Sequence, residues 1–432
     1  MLGPGTGAIV LTYGRGRGCR SLKPGAPNAD TDRMGSALQT QARGRVEGFD
    51  GLRACAAILV IAYHAASIAG ASLNGPLSLV AAELKAGVAI FFVISGFLLY
   101  LPYARSIRSG ADVPDWRRYS VRRAVRILPA YWVALTVLAL SGQVHGVLTA
   151  GWWRFYGLVQ IYQRHTIHEG LLVAWSLAVE VTFYLVLPFV ACGMRRMVAR
   201  RTGTEAAKAQ LRLLASVAVG SWALRALLAR SALSPVPDTH LVLTTSLPAL
   251  FDWFAAGIAL AVLRAEWETS SAFASRVRSL AQAPGRCWLL AALAYTVGVP
   301  LQQGEFFLPS YGLAAHVAVG LAALLFVLPA VVPGPARRRG PMALLRSRQM
   351  AWLGVISYGM YLWHQPFRNL IDGWLGAPRG VLAFAGLFVL TLAGAVCLGA
   401  ASWYLVERPA QRWLKSRPRP AGRESSVPAR VF

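Results

Sequence analysis

Acidic side chains are scarce in this chain. Its 432 residues hold 18 Asp and Glu against 44 Lys and Arg, and residues of either charge make up 14% of the sequence while hydrophobic ones make up 56%. A soluble enzyme needs a charged surface to stay in water, so this composition excludes an ordinary soluble fold and points to a polytopic membrane protein. Cysteine is sparse as well. Cys55, Cys192, Cys287 and Cys397 stand singly in apolar stretches and Cys19 lies in the N-terminal tail. Without a CxxC or other ligand spacing, neither a disulfide framework nor a bound metal is expected. An internal repeat, which many carriers show, is absent too, and the first thirty-odd residues offer no apolar run long enough for a signal peptide.

What the chain has in abundance is membrane-length apolar sequence. Windows of about 19 residues pick out ten spans, at 52–71, 86–104, 124–141, 171–193, 211–230, 243–263, 287–302, 311–332, 350–371 and 381–405. The expected fold class is therefore all-α, a polytopic membrane protein of about ten transmembrane helices. Basic residues orient them. With the N-terminus inside, the cytoplasmic segments would carry 36 of the 44 Lys and Arg, whereas the opposite loops hold only Lys85, Arg154, Arg164 and Arg379. By the positive-inside rule both termini are cytoplasmic. The net charge of +26 is then a topology signal with added attraction for anionic lipid, and nucleic acid is not an expected partner.

Three regions follow. Residues 1–45 are basic and rich in Gly and Pro and read as a disordered tail, with Met34 an alternative start. Residues 46–415 form the transmembrane domain, and residues 416–432 are a second basic, disordered tail. His145, His165 and His168 sit in an expected outer loop beside Trp152, Trp153, Tyr156 and Tyr162, a pattern that reads first as an interfacial aromatic belt.

Ionisable groups inside apolar spans are functional candidates. Arg53 and His64 bracket the first span, GLRACAAILVIAYH. At about 1.5 Å per residue, eleven steps of helix put His64 roughly 16 Å deeper than Arg53, an arginine at one membrane face and an imidazole near the midplane. The same counting brings Glu180, Arg225, Asp252 and His364 close to His64 in depth, so these groups are expected to converge. The alternative for each taken singly is a structural polar contact between helices, and Glu180 balancing Arg225 is one such pairing.

The segment GFDGLRACAAILVIAYH resembles the first-helix signature of the acyltransferase 3 family of membrane O-acyltransferases, Arg53 and His64 matching its Arg, ten residues, His spacing. Further blocks resemble the family in order: GVAIFFVISGFLLY (87–100), RRAVRILPAYW (122–132), WSLAVEVTFYLVLP (175–188), LFDWFAAGIALA (250–261), ISYGMYLWHQP (356–366) and SWYLVERP (402–409). Some members continue into an extracytoplasmic hydrolase-like domain, and this chain ends after the tenth span.

The resemblance implies transfer of an acyl group from acyl-CoA, acetyl-CoA included, to a hydroxyl on a surface glycan, a glycolipid or a glycosylated secondary metabolite, in the bacterial plasma membrane and with no permanently bound cofactor. Chemistry assigns roles within it. Acyl transfer needs a base near the attacking hydroxyl, for which His64 is suited, with Glu180 orienting His64 or the hydroxyl. The donor's phosphates suit arginine, and Arg53, Arg122, Arg123 and Arg126 lie at the cytoplasmic face, although inner-face basic topology alone explains the last three equally well. Trp175, Ser176, Tyr184, Asp252 and His364 are candidate oxyanion or acceptor contacts, and Ser95 with Gly96 suits close helix packing. A transporter or flippase is the rival reading, because midplane charges also describe carriers. A third reading, an inactive membrane partner, is opposed by the intact Arg53, His64 and Glu180.

Overall fold

The computed structural model describes residues 46–69, 86–231, 237–269, 271–298, 309–333, 340–376 and 380–417. From Glu47 onward they belong to one compact unit. The expected N-terminal tail with Met34, and residues 418–432 of the C-terminal one, lie outside the described residues. Among the described residues no strand occurs, and ten principal helices carry the chain: α1 Phe49–Ala69, α2 Ala86–Ser109, α3 Trp116–Leu140, α4 Ala174–Val198, α5 Gly203–Ser231, α6 Leu247–Glu268, α7 Pro284–Gly298, α8 Pro309–Val331, α9 Arg348–Leu375 and α10 Val381–Ser402. The protein is an all-α polytopic membrane protein.

Eight helices among the described residues are long and apolar enough to cross a membrane, against ten expected spans. α7 misses on length, with 15 described residues. α9 has 28 residues and misses on apolarity, since Ser357, Tyr361, His364 and Gln365 interrupt it. The helix that fails as an apolar span is thus the one that brings polar side chains into the bundle. Its start is set by Ser347, whose hydroxyl accepts from the Met350 N–H at 3.2 Å, and its end by Gly376 in the left-handed conformation, where glycine carries no steric penalty.

α2 and α6 form the centre and are buried along most of their length, whereas α5 and α10 turn most of theirs outward. Gly96 and Gly257 explain the approach of the central pair: a methyl group on either would collide with the other helix's backbone, at Phe254 and Val93 respectively. Phe254 stacks on Phe92 at 4.4 Å and on Phe183 at 4.1 Å between ring centres, tying α4 to the pair. α1 and α9 lie as closely, and in parallel. Gly354 abuts the Asp50 backbone, Ala57 and Ile61 pack against Ile356 and Met360, and His64 meets His364. The register set at the start of the two helices is what brings the histidines together about four turns further along α1 and three along α9.

Both central helices run past their predicted ends, α2 to Ser109 and α6 to Glu268, because charges there neutralise one another. Arg105 donates two bonds to Glu268, at 2.8 and 2.7 Å. Arg108 pairs with the buried Glu266 at 2.7 Å, and Arg264 bonds both Glu268 and the Val331 carbonyl. Thr204, at the start of α5, bonds Glu266 at 3.4 Å. The ends of α2, α6 and α8 therefore meet the start of α5, the alternation that the basic-residue count requires.

Candidate active site

Five helices surround an open cavity lined by Arg53 of α1, Phe91 of α2, Arg126 of α3, Ser176, Glu180 and Tyr184 of α4, and Tyr358 and Tyr361 of α9, among others. Its polar wall is built on one face of α4, where Ser176, Glu180 and Tyr184 recur every four residues. Glu180 Oε1 accepts from the hydroxyls of Ser95 and Tyr184. Ser176 shares a 2.7 Å bond with Tyr361, whose hydroxyl also donates to the Val173 carbonyl at 2.8 Å. Tyr358 is held by the Ile127 carbonyl at 2.9 Å. These bonds lock the wall's rotamers, leaving the arginines as its adaptable groups. Arg53 is within charge interaction of Glu180, Arg126 and Asp50, and its Nε is buried with no hydrogen-bond partner among the described residues. A cationic cleft holding unspent donors is suited to an anionic ligand.

His64 does not line this cavity. It pairs with His364, Nδ1 to Nε2 at 3.1 Å, and the same Nδ1 lies 3.0 Å from the Val60 carbonyl. His364 is fully buried, with its Nδ1 2.7 Å from the Tyr361 carbonyl. Arg368, one turn further along α9, donates to the His64 carbonyl at 2.9 Å and to Asn369 at 2.6 Å. Tyr361 therefore belongs to both places, its ring facing Phe91 in the cavity wall and its carbonyl facing the histidine pair. His64 itself is half-buried, and Ser67, one turn on, is exposed.

The expected single convergence of midplane groups does not occur. Asp252 belongs to a separate cluster: His316 Nε2 lies 2.9 Å from its Oδ2, to which the Trp222 indole N–H also donates at 2.9 Å, and the Trp253 ring stacks on His316 at 4.5 Å. Arg225 stands near Asp252 and donates to the Thr244 and Ala249 carbonyls at 3.1 and 3.2 Å, so it does not balance Glu180. Arg122 is exposed and off the cavity wall. Arg123, half-buried, and Trp175 are not among the lining residues either. The segment expected to be an aromatic belt is a folded cap: in the short helix Trp152–Tyr156 the Phe155 and Tyr156 carbonyls accept from Tyr131 and Trp132 of α3 at 2.7 and 3.0 Å, while Trp152 and Trp153 stay exposed.

Residues absent from the expected set are Tyr358, Tyr361, Arg368, His316 and Ser95 as a partner of Glu180. A signal for some of them is in the sequence, since Ser357, Tyr361, His364 and Arg368 recur at helical spacing and form one polar stripe of α9. His316 carries no comparable signal, as it stands alone in α8. Among the described residues there is no cluster of His, Cys, Asp and Glu that could hold a metal ion.

The family model described as an acyltransferase domain matches residues 46–400. Among curated relatives, nodulation protein 10 of Rhizobium leguminosarum bv. viciae is 28% identical over 85% of this chain and 94% of its own length. Peptidoglycan O-acetyltransferase OatA of Listeria monocytogenes is 25% identical over 80% of this chain and 54% of its own, and YrhL of Bacillus subtilis is 30% identical over 76% and 49%. The chain thus spans nearly all of the first and about half the length of the other two. No solved structure matches the chain significantly. A match over most of the transmembrane domain assigns this chain to the acyltransferase family, as a multi-pass membrane acyltransferase whose relatives include an O-acetyltransferase.

Proposed function

We propose that the protein transfers an acyl group from acyl-CoA to a carbohydrate hydroxyl in the bacterial plasma membrane. The observation that carries this reading is the five-helix cavity in which Arg53 and Arg126 face Glu180, with His64 eleven residues beyond Arg53 on the same helix. The arginines bind the donor's phosphates through directed N–H groups. The acyl end reaches past Tyr361 towards His64. The acceptor hydroxyl gives its proton to His64 as its oxygen bonds to the thioester carbonyl carbon. The carbon–sulfur bond then breaks, and the proton passes from His64 to the departing thiolate. Ser176, Tyr184 and Tyr361 are the hydroxyls nearest the route, and one of them serves the transient oxyanion by turning its hydrogen away from its bond within the wall as the charge develops, while the Glu180 carboxylate positions the reactants. A glycan acceptor accords with the name of the Listeria relative, a peptidoglycan O-acetyltransferase.

The test uses the full chain in proteoliposomes with radiolabelled acetyl-CoA and purified peptidoglycan glycan strands. Alkali-labile label on the glycan, matched by free CoA, is the expected result. Movement of intact glycan across the vesicle membrane without acetyl-CoA consumption would replace the enzyme reading by the carrier one.

A further inference from the structure

We infer that His364 is a positioning residue that fixes the tautomer of His64 and leaves the His64 Nε2 lone pair as the reactive one. The inference starts from two carbonyl oxygens, which can only accept. Tyr361 O lies 2.7 Å from His364 Nδ1, so that nitrogen carries its hydrogen, and in a neutral ring Nε2 is then the lone-pair nitrogen. His64 Nδ1 lies 3.1 Å from that lone pair and 3.0 Å from the Val60 carbonyl. With two acceptors in reach, His64 Nδ1 carries the hydrogen and shares it between them. His64 Nε2 is left unprotonated and takes no hydrogen bond from any described residue.

Reversing both tautomers sets lone pair against lone pair twice, at Tyr361 O with His364 Nδ1 and at Val60 O with His64 Nδ1. Protonating His364 on both nitrogens leaves the second clash and adds a cation beside Arg368 in an apolar interior. With both rings neutral, only one proton arrangement satisfies all four partners.

The consequence for function rests on His64 being the base, although the geometry does not. When His64 Nε2 takes the acceptor's proton, its Nδ1–H keeps donating to the His364 lone pair, so the new imidazolium is held without any ring rotation. His364 acts as the neutral counterpart of the group that orients a catalytic histidine from behind. Its burial and its two filled nitrogens exclude the acceptor-contact role expected from the sequence. Arg368 completes the arrangement by holding the His64 carbonyl at 2.9 Å.

Two substitutions separate this role from structural filling. In His364→Gln the side-chain oxygen can reach the place of Nε2 and still accept from His64, whereas the side chain of His364→Asn reaches only the place of Nδ1 and keeps the Tyr361 bond alone. Release of CoA from acetyl-CoA with glycan strands should stay within about tenfold of wild type for Gln and fall at least about tenfold further for Asn, with KM for acetyl-CoA unchanged in both. In a His64→Ala background neither change should lower the residual rate further, because residues acting as a unit are not additive. Asn as active as Gln, or an added loss in that background, overturns the inference.

A substrate-free reading runs beside it. The protein contains seven histidines, and in ring-15N-labelled protein the signals lost in His64→Ala identify His64. Protonated Nδ1 with bare Nε2 is expected in wild type and in His364→Gln, and not in His364→Asn. A wild-type His64 protonated on Nε2 overturns the inference whatever the activity. Bare Nε2 in a protein that releases no CoA leaves the inference standing and fails the proposed function instead.

Discussion

Two buried polar groupings in this bundle have similar ingredients and opposite characters. Around Asp252, the carboxylate has His316 Nε2 and the Trp222 indole N–H each within 3.0 Å, Arg225 is taken up by backbone carbonyls, and none of them lines the described cavity. Around Glu180 the carboxylate is also bonded, but the cavity wall beside it holds Arg53 with a buried, unpartnered Nε, and five helices leave space for a ligand. His64, on the same helix as Arg53, likewise keeps one ring nitrogen free. A polar group in hydrocarbon that has used its whole bonding capacity is a staple between helices. One that retains capacity next to an opening is prepared for a substrate.

The sharpest break in this comparison would come from exchanging its histidines. His64→Ala should remove transfer by at least about a hundredfold, the usual scale for acid–base catalysis, with insertion unchanged. His316→Ala should do the reverse, lowering the thermal midpoint while each folded molecule keeps its turnover. Parallel assays of CoA release and thermal unfolding at equal protein level decide between them, and a swapped outcome would exchange the roles of the two groupings.

Glu180→Gln should come next. It keeps an acceptor for Ser95 and Tyr184 and removes the charge facing Arg53, so the variant should unfold at the wild-type temperature while transfer falls by about tenfold to a hundredfold. Substitution of Arg225 should not restore activity, since no bond joins the two. Restoration of both stability and activity in the double variant would make Glu180 a staple as well.

Asp252→Ala should cost about 3–5 kcal/mol, because one member of a buried pair is left without the other. Replacing Asp252 and His316 together by Leu should recover part of that loss, and thermal unfolding of the three variants reads it directly. The smallest effect is expected of Arg53→Lys, which keeps the charge and loses the planar fork: KM for acetyl-CoA should rise about tenfold with kcat little changed. An unaltered KM would move Arg53 from the donor site to the helix interface.

Much of this architecture is legible in the sequence. Apolar windows placed one span on each of the ten principal helices, starting eight residues late on α3 and α5 and missing the true ends of α2 and α6, where Arg105, Arg108, Glu266 and Glu268 cancel charges that a window counts as a stop. That Arg53 and Glu180 line one cavity was not anticipated, since the depth count set Glu180 beside His64 and Arg53 at the membrane face. Nor was Tyr361, because a tyrosine in an apolar span is unremarkable until its hydroxyl and carbonyl are seen to serve the cavity and the histidine pair at once.

Depth and sidedness are one-dimensional properties, and the sequence by itself supplies the expectation for them: residue count times helical rise gives how deep a group should sit, and the basic-residue asymmetry gives which way each helix should run. Azimuth is different. The residue count gives Glu180, Asp252, Arg225, His64 and His364 one depth, yet which of them meet depends on where each helix stands around the bundle and how it is rotated. The backbone contacts at Gly354 and at Gly96 with Gly257 set that arrangement, α1 against α9 in one place and α2 against α6 in the other. Only the tertiary structure divided the five groups into an open cavity, a histidine pair and a closed staple, because helix rotation is fixed by close packing between segments far apart in the chain.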